Sequence, residues 1–245
     1  RPGPRNRRLA LSVAAMIDLS HPVIAQEQMD APDLAPDTYA AVLRDLARVN
    51  WWTMAARPTI SFLDQIVRPG ENLRILDVGY GAGDMLRRIA QWSAKRGITA
   101  ELTGIDLNPR SALVAQAATA PALRIEYLTG DYADVEDRGW DIILSSLVAH
   151  HMTGADLVRF LRFMDRTAQR GWLVNDLLRH RAALLGYPLL ARLMRWHPIV
   201  RQDGTLSIAR SYRPAEWLPL LDEANISGAR VFRAFPFRLC VEQCR

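Results

Sequence analysis

The stretch Arg74-Ile75-Leu76-Asp77-Val78-Gly79-Tyr80-Gly81-Ala82-Gly83-Asp84 constrains this chain more than any other. An apolar run of strand type ends in glycines at alternate positions. Met85, Leu86, Ile89 and Ala90 then recur at helical spacing. A strand, a tight turn and a helix N-terminus in direct succession form an edge where a polar ligand can meet backbone N–H groups. Glycine serves such a turn twice, by adopting positive φ without strain and by leaving no Cβ in the ligand's way.

The alternation continues downstream. Strand-like runs at Glu101–Asp106, Leu123–Leu128, Trp140–Ser145 and Gly171–Leu177 are separated by helical patterns, one of them carrying Leu157, Phe160, Leu161 and Met164 on a single stripe. Two closing strands, about Ala229–Ala234 and Phe237–Gln243, flank Pro236 at hairpin spacing. With the opening strand this predicts an α/β fold: a doubly wound, seven-stranded, mostly parallel sheet with an antiparallel C-terminal hairpin strand.

Ahead of the sheet, residues 16–72 read as a helical cap. Asp37 is the expected N-cap of a helix bearing Tyr39, Val42, Leu43, Leu46 and Val49, followed by Trp51 and Trp52 and by a short helix near Thr59–Val67. Residues 1–15 are expected to be a leader without fixed structure. Residues 73–245 form the expected core, interrupted at 178–212 by a helical insertion rich in leucine and arginine, with Tyr187, Trp196 and His197.

The glycine spacing narrows the ligand. A dinucleotide turn needs a third glycine where this chain has Asp84, and a carboxylate there would repel a pyrophosphate. No Gly-Lys-Ser/Thr follows, so a phosphate-cradling P-loop is excluded. A nucleoside without phosphates fits better.

At these residues the chain resembles the class I S-adenosylmethionine-dependent methyltransferases. Asp77-Val78-Gly79-Tyr80-Gly81-Ala82-Gly83 is similar to the family's first motif, and three later motifs follow in order at strand ends. The resemblance implies that S-adenosylmethionine binds at Asp77, Gly79, Tyr80, Gly81 and Gly83 for its amino-acid end. It implies Asp106 and Leu107 for the ribose and ring, Asp131 and Tyr132 for the adenine, and Ser146 and Leu147 at the fourth strand end. The product would be S-adenosylhomocysteine. Tyr80 departs from the small residue usual there. Its ring must point away from the cofactor or cover it, and a filled pocket would leave a non-catalytic nucleoside-binding module.

On the acceptor side, a phenol benefits from a base, and His150 and His151 directly after the fourth strand are the candidates. Packing is their alternative use. Trp51, Trp52, Tyr187, Trp196 and His197 are expected substrate contacts. The insertion stands where such enzymes place a substrate lid; an interface between two copies or contact with a membrane surface are its other uses. The expected activity is methyl transfer, O- before C-, to a hydrophobic, phenolic or polyketide-like small molecule. An RNA or protein methyltransferase is the alternative, supported only by the net charge of +5.

That charge is carried almost wholly by scattered arginine, with Lys95 the single lysine, so nucleic acid is not the expected partner. Cys240 and Cys244 alone are too few for a zinc site, and no metal is expected. Sparse cysteine fits a reducing, cytoplasmic setting. No apolar run approaches the ~18 residues of a membrane span.

Overall fold

The computed structural model describes residues 18–245; the expected leader, residues 1–15, lies outside them. Two helices come first, α1 (Pro36–Trp52) and α2 (Arg57–Ile66). Strand β1 (Asn72–Val78) leads through the glycine turn into α3 (Asp84–Lys95). There follow β2 (Thr99–Asp106), α4 (Pro109–Ala117), β3 (Ile125–Thr129), β4 (Trp140–Ser146), α5 (Gly154–Thr167) and β5 (Ala168–Leu177). The insertion is two helices, α6 (Arg181–Leu193) and α7 (Pro198–Arg210). Then α8 (Pro214–Glu223), β6 (Arg230–Ala234) and β7 (Arg238–Cys244) complete the chain.

The sheet order is β3-β2-β1-β4-β5-β7-β6, with β1 to β5 parallel and β7 antiparallel to both β5 and β6. The order reverses between β1 and β4, the place where open parallel sheets bind ligands at their carboxyl edge. Consecutive strand residues feed opposite faces. Leu76 and Ile143 join Phe160, Trp172 and Trp217 in one apolar cluster, whereas Ile75 and Ile142 join Phe62, Leu86 and Trp92 in the other. Burial on both faces is why these strands read as continuous apolar runs.

Local chemistry sets the helix ends. Thr153 and Asp156 form a reciprocal capping box at α5, directly before its buried stripe of Leu157, Phe160, Leu161 and Met164. Asp37 is not the N-cap of α1. That position is Ala35, with Pro36 opening the helix, so Asp37 falls in the first turn, where its charge still favours the helix dipole. No helix among the described residues is long and apolar enough to cross a membrane.

Candidate active site

The glycine turn and the end of β2 are tied together by Asp106. Its Oδ2 accepts from the Gly81 N–H at 2.9 Å and its Oδ1 from the Asn108 N–H at 2.8 Å. Gly81 has φ +51°, and a Cβ there would meet only Leu43 Cδ2, at 3.9 Å, so the backbone is open to a ligand. Tyr80 does not close this opening. Its ring is buried in the sheet core, against Gly104 and with its centroid 4.9 Å from that of Tyr127.

Three carboxylates surround the turn. Asp77, at the end of β1, is fully buried, and its Oδ1 has no hydrogen-bond partner among the described residues. Burial first, then the neighbouring charges of Asp84 and Asp106, raise its pKa well above the ordinary carboxylate range. Asp84 accepts from Asn50 Nδ2 at 3.2 Å, and burial raises its pKa, as it does that of Asp106. A buried carboxyl without a partner, with two further carboxylates beside it, calls for a cation. Arg238, at the start of β7, is a buried counterpart: its Nε and Nη1 also lack hydrogen-bond partners, and it lies within electrostatic reach of Asp84 and Asp176.

Along the same edge, Leu107 is 75% exposed. Asp131 is exposed and caps the turn after β3 by accepting from the Ala133 N–H at 2.9 Å. Tyr132 turns into the core between Phe160 and Phe163, so Leu107 rather than Tyr132 is free to cover a ring. Leu147, with φ +64°, donates its N–H to the Asn175 carbonyl at 3.0 Å, and Ser146 Oγ reaches the same carbonyl at 3.4 Å.

His150 and His151 do come together with other chemistry. The buried His150 ring has its Nδ1 2.7 Å from Asp176 Oδ1, and its backbone N–H donates to Asp176 Oδ2 at 2.9 Å. Its Nε2 lies 3.6 Å from Glu27 Oε1. Burial pushes the imidazole pKa down, but Asp176 and Glu27 outweigh it and raise it to about 9. His151 is 31% exposed, with Nε2 3.8 Å from Glu27 Oε2 and Nδ1 3.4 Å from Asp30 Oδ2. Sequence reasoning missed Glu27, Asp176 and Arg238. Asp176 carried a usable signal, as an acidic residue at a strand's carboxyl end; a lone Glu27 in an irregular segment carried none.

The other expected acceptor contacts have different roles. Trp196 is buried, and Tyr187 packs beside it with its hydroxyl donating to the Val200 carbonyl at 2.7 Å, so both are core of the insertion. His197 caps α7 by accepting from the Ile199 N–H at 3.2 Å. Trp51 and Trp52 are 59% and 51% exposed, neither core nor buried pocket wall.

Residues 75–171 match the family described as "Methyltransferase domain". Residues 75–171 thus carry a methyltransferase domain, and the whole sheet has the Rossmann-like methyltransferase fold. Ubiquinone biosynthesis O-methyltransferase of Azorhizobium caulinodans is 33% identical over 99 residues, 39% of this chain and 36% of that protein. The Rhizobium leguminosarum protein of the same name is 28% identical over 155 residues, 61% of this chain and 57% of that one. The matches thus span between about a third and somewhat over half of these relatives' length. Among solved structures, human N-acetylserotonin methyltransferase has a TM-score of 0.64 at 17% identity, covering 97% of this chain and 66% of that one. Magnesium protoporphyrin IX methyltransferase of Synechocystis has a TM-score of 0.54 at 16% identity, covering 89% and 91%. These two likenesses are of fold.

Proposed function

We propose that the chain transfers a methyl group from S-adenosylmethionine to an oxygen of a hydrophobic, phenolic small molecule. The observation that carries this reading is the unpartnered Asp77 carboxylate beneath an open glycine turn, with Asp84 and Asp106 beside it. A phosphate ligand would be repelled there, whereas a nucleoside bearing an ammonium and a sulfonium supplies the missing positive charge. Arg238, cationic and with Nε and Nη1 unpartnered while Nη2 donates to Thr53 Oγ1 at 3.3 Å, suits the carboxylate at the same end of that molecule. Asp106 retains lone pairs for the ribose hydroxyls beyond its two backbone bonds.

The bound cofactor supplies an electrophilic methyl group, so the protein's task is alignment and exclusion of water. His151 is the member of the pair that faces an acceptor, because it is partly exposed while His150 is buried between Asp176 and Glu27. The names of the curated relatives and the apolar insertion support a greasy aromatic acceptor. Several arginines are tied into pairs spread over the molecule, such as Arg96–Asp64, Arg138–Glu126 and Arg170–Glu71, which favours a small molecule over RNA.

Calorimetric titration tests this directly. S-adenosylhomocysteine should bind at micromolar concentration and NAD should not. Asp106→Ala should weaken S-adenosylhomocysteine by about ten- to a hundredfold. A wild-type protein that ignores S-adenosylhomocysteine sinks the reading.

A further inference from the structure

We infer that Glu27, His150 and His151 form a binding site for a divalent transition-metal ion of the zinc type. One ligating atom from each of the three lies within 4.8 Å of the others. The gaps between imidazole and carboxylate are 3.6 Å and 3.8 Å. Two donors about 2.1 Å from one ion at a tetrahedral angle stand roughly 3.4 Å apart, so these two imidazole–carboxylate gaps, His150 to Oε1 and His151 to Oε2, need to close by only a few tenths of an ångström.

Both rings are oriented for this. Each turns its Nε2 to Glu27 and its Nδ1 to a second carboxylate, Asp176 for His150 and Asp30 for His151. A carboxylate behind the distal nitrogen is the usual way to fix a metal-bound imidazole's tautomer and raise its basicity. Glu27 is held with equal care. Asp203, Ser207 and Arg210 follow one another at helical spacing on one face of α7. Asp203 accepts from the Gln28 and Met29 N–H groups at 3.1 and 2.9 Å, pinning the turn that carries Glu27. Ser207 donates to Glu27 Oε1 at 2.7 Å, and Arg210 Nη1 lies 3.5 Å from the same oxygen. Oε2, the oxygen nearer His151, has no such partner and stays available to an ion, with Oε1 on the His150 side.

Charge decides between an ion and a merely packed cluster. Glu27, Asp30 and Asp176 bring three negative charges around two imidazoles, and Arg210 offsets one of them. In the metal-free protein a proton shared among these groups offsets a second, and a divalent ion bound through the imidazole nitrogens would take that proton's place. Two imidazole nitrogens and one carboxylate select zinc, cobalt, nickel or iron over magnesium and calcium, which prefer oxygen ligands. Three protein ligands leave a position open, and His151 is the partly exposed corner. The ion's role there, holding an acceptor oxygen as its alkoxide or phenolate, rests on the function proposed above; the binding site itself does not.

The test uses the full chain, stripped with a chelator and dialysed. Titration with Zn2+ should give saturable one-to-one binding at micromolar concentration or tighter, and Co2+ should develop the visible bands of a four- or five-coordinate nitrogen–oxygen site. Mg2+ should do neither. Both Glu27→Gln and His151→Ala should weaken Zn2+ binding tenfold or more; His151, being partly exposed, keeps the test valid if the Glu27 variant misfolds. Absence of saturable Zn2+ binding, or binding unchanged in a folded His151→Ala protein, overturns the site. A parallel S-adenosylhomocysteine titration separates the outcomes, since cofactor binding without zinc binding removes this inference and leaves the proposed function standing.

Discussion

The ring of Tyr80 occupies the space that a side chain at position 104 would take: a Cβ on Gly104 would sit 2.6 Å from Tyr80 Cδ1 and 2.8 Å from Leu86 Cδ1. A bulky residue in the glycine turn is tolerated because the neighbouring strand has no side chain beneath it. Gly104→Ala should therefore lower stability by about 1–3 kcal/mol through overpacking. It should also drive Tyr80 toward the open side of Gly81 and weaken S-adenosylhomocysteine binding. In a Tyr80→Ala background the same change should lose most of its effect. A double-mutant cycle in thermal melts and calorimetry reads the coupling, and additive effects would refute the relationship.

Asp77 sets a pH dependence for cofactor affinity. Its carboxyl is raised above the ordinary range in the free protein, mainly by burial. A bound cation favours the ionised form, so its pKa falls in the complex. Between those two values binding releases a proton, and affinity rises with pH by at most about tenfold per unit before levelling above the free-protein value. The folded-state shift also means that Asp77 opposes folding increasingly as pH rises from the ordinary carboxylate range through the raised value. Calorimetry in buffers of different ionisation heat should detect the released proton, and Asp77→Asn should remove most of the slope. A flat wild-type profile from mildly acidic to neutral pH contradicts this account.

The cofactor half of the site was legible in the sequence because its parts are local or periodic. The glycines, Asp77 and Asp84 lie within one turn, and Asp106 ends a strand whose apolar pattern announces it. The acceptor half was not, for two physical reasons. Glu27 meets His150 and His151 across more than a hundred residues, and it is held by side chains on α7 that look like ordinary helix polarity. Tyr187 and Trp196 read equally well as pocket wall or core, since burial is a property of packing, and here they are core. Arg238 was lost among many arginines; burial, which it shares with Arg179, together with its two unpartnered nitrogens distinguishes it.

If Arg238 holds the carboxylate of the cofactor's amino-acid end, its effect should depend on which ligand is offered. Arg238→Gln should weaken S-adenosylhomocysteine about tenfold or more. It should leave 5′-methylthioadenosine, which lacks that end, within about twofold of wild type. Removing a buried, partly unpartnered charge is not expected to harm the fold, since desolvation already lowers the pKa of this arginine. Equal losses for the two ligands in calorimetry would assign Arg238 to general packing instead.

Arg179 ties the segment before α1 to the rest of the molecule. It is fully buried, and its guanidinium donates to the carbonyls of Leu19 at 3.0 Å, Ser211 at 2.6 Å and Ser20 at 3.3 Å, and to Glu216. One planar fork thus joins β5's exit, the start of α8, the end of the insertion and the chain that runs on to Glu27. Arg179→Met leaves those carbonyls short of a donor and should cost about 2–4 kcal/mol, a fall in Tm of about 5–15 °C. Arg179→Lys keeps the charge but cannot reach several acceptors at once, so it should recover only a minor part. Because the anchor lies upstream of Glu27, hydrogen exchange should quicken across residues 19–30 in both variants, before the strands show any change. A lysine variant as stable as wild type, or unchanged protection of that segment in the methionine variant, would show that the segment is held by its apolar contacts with α6 and α7 alone.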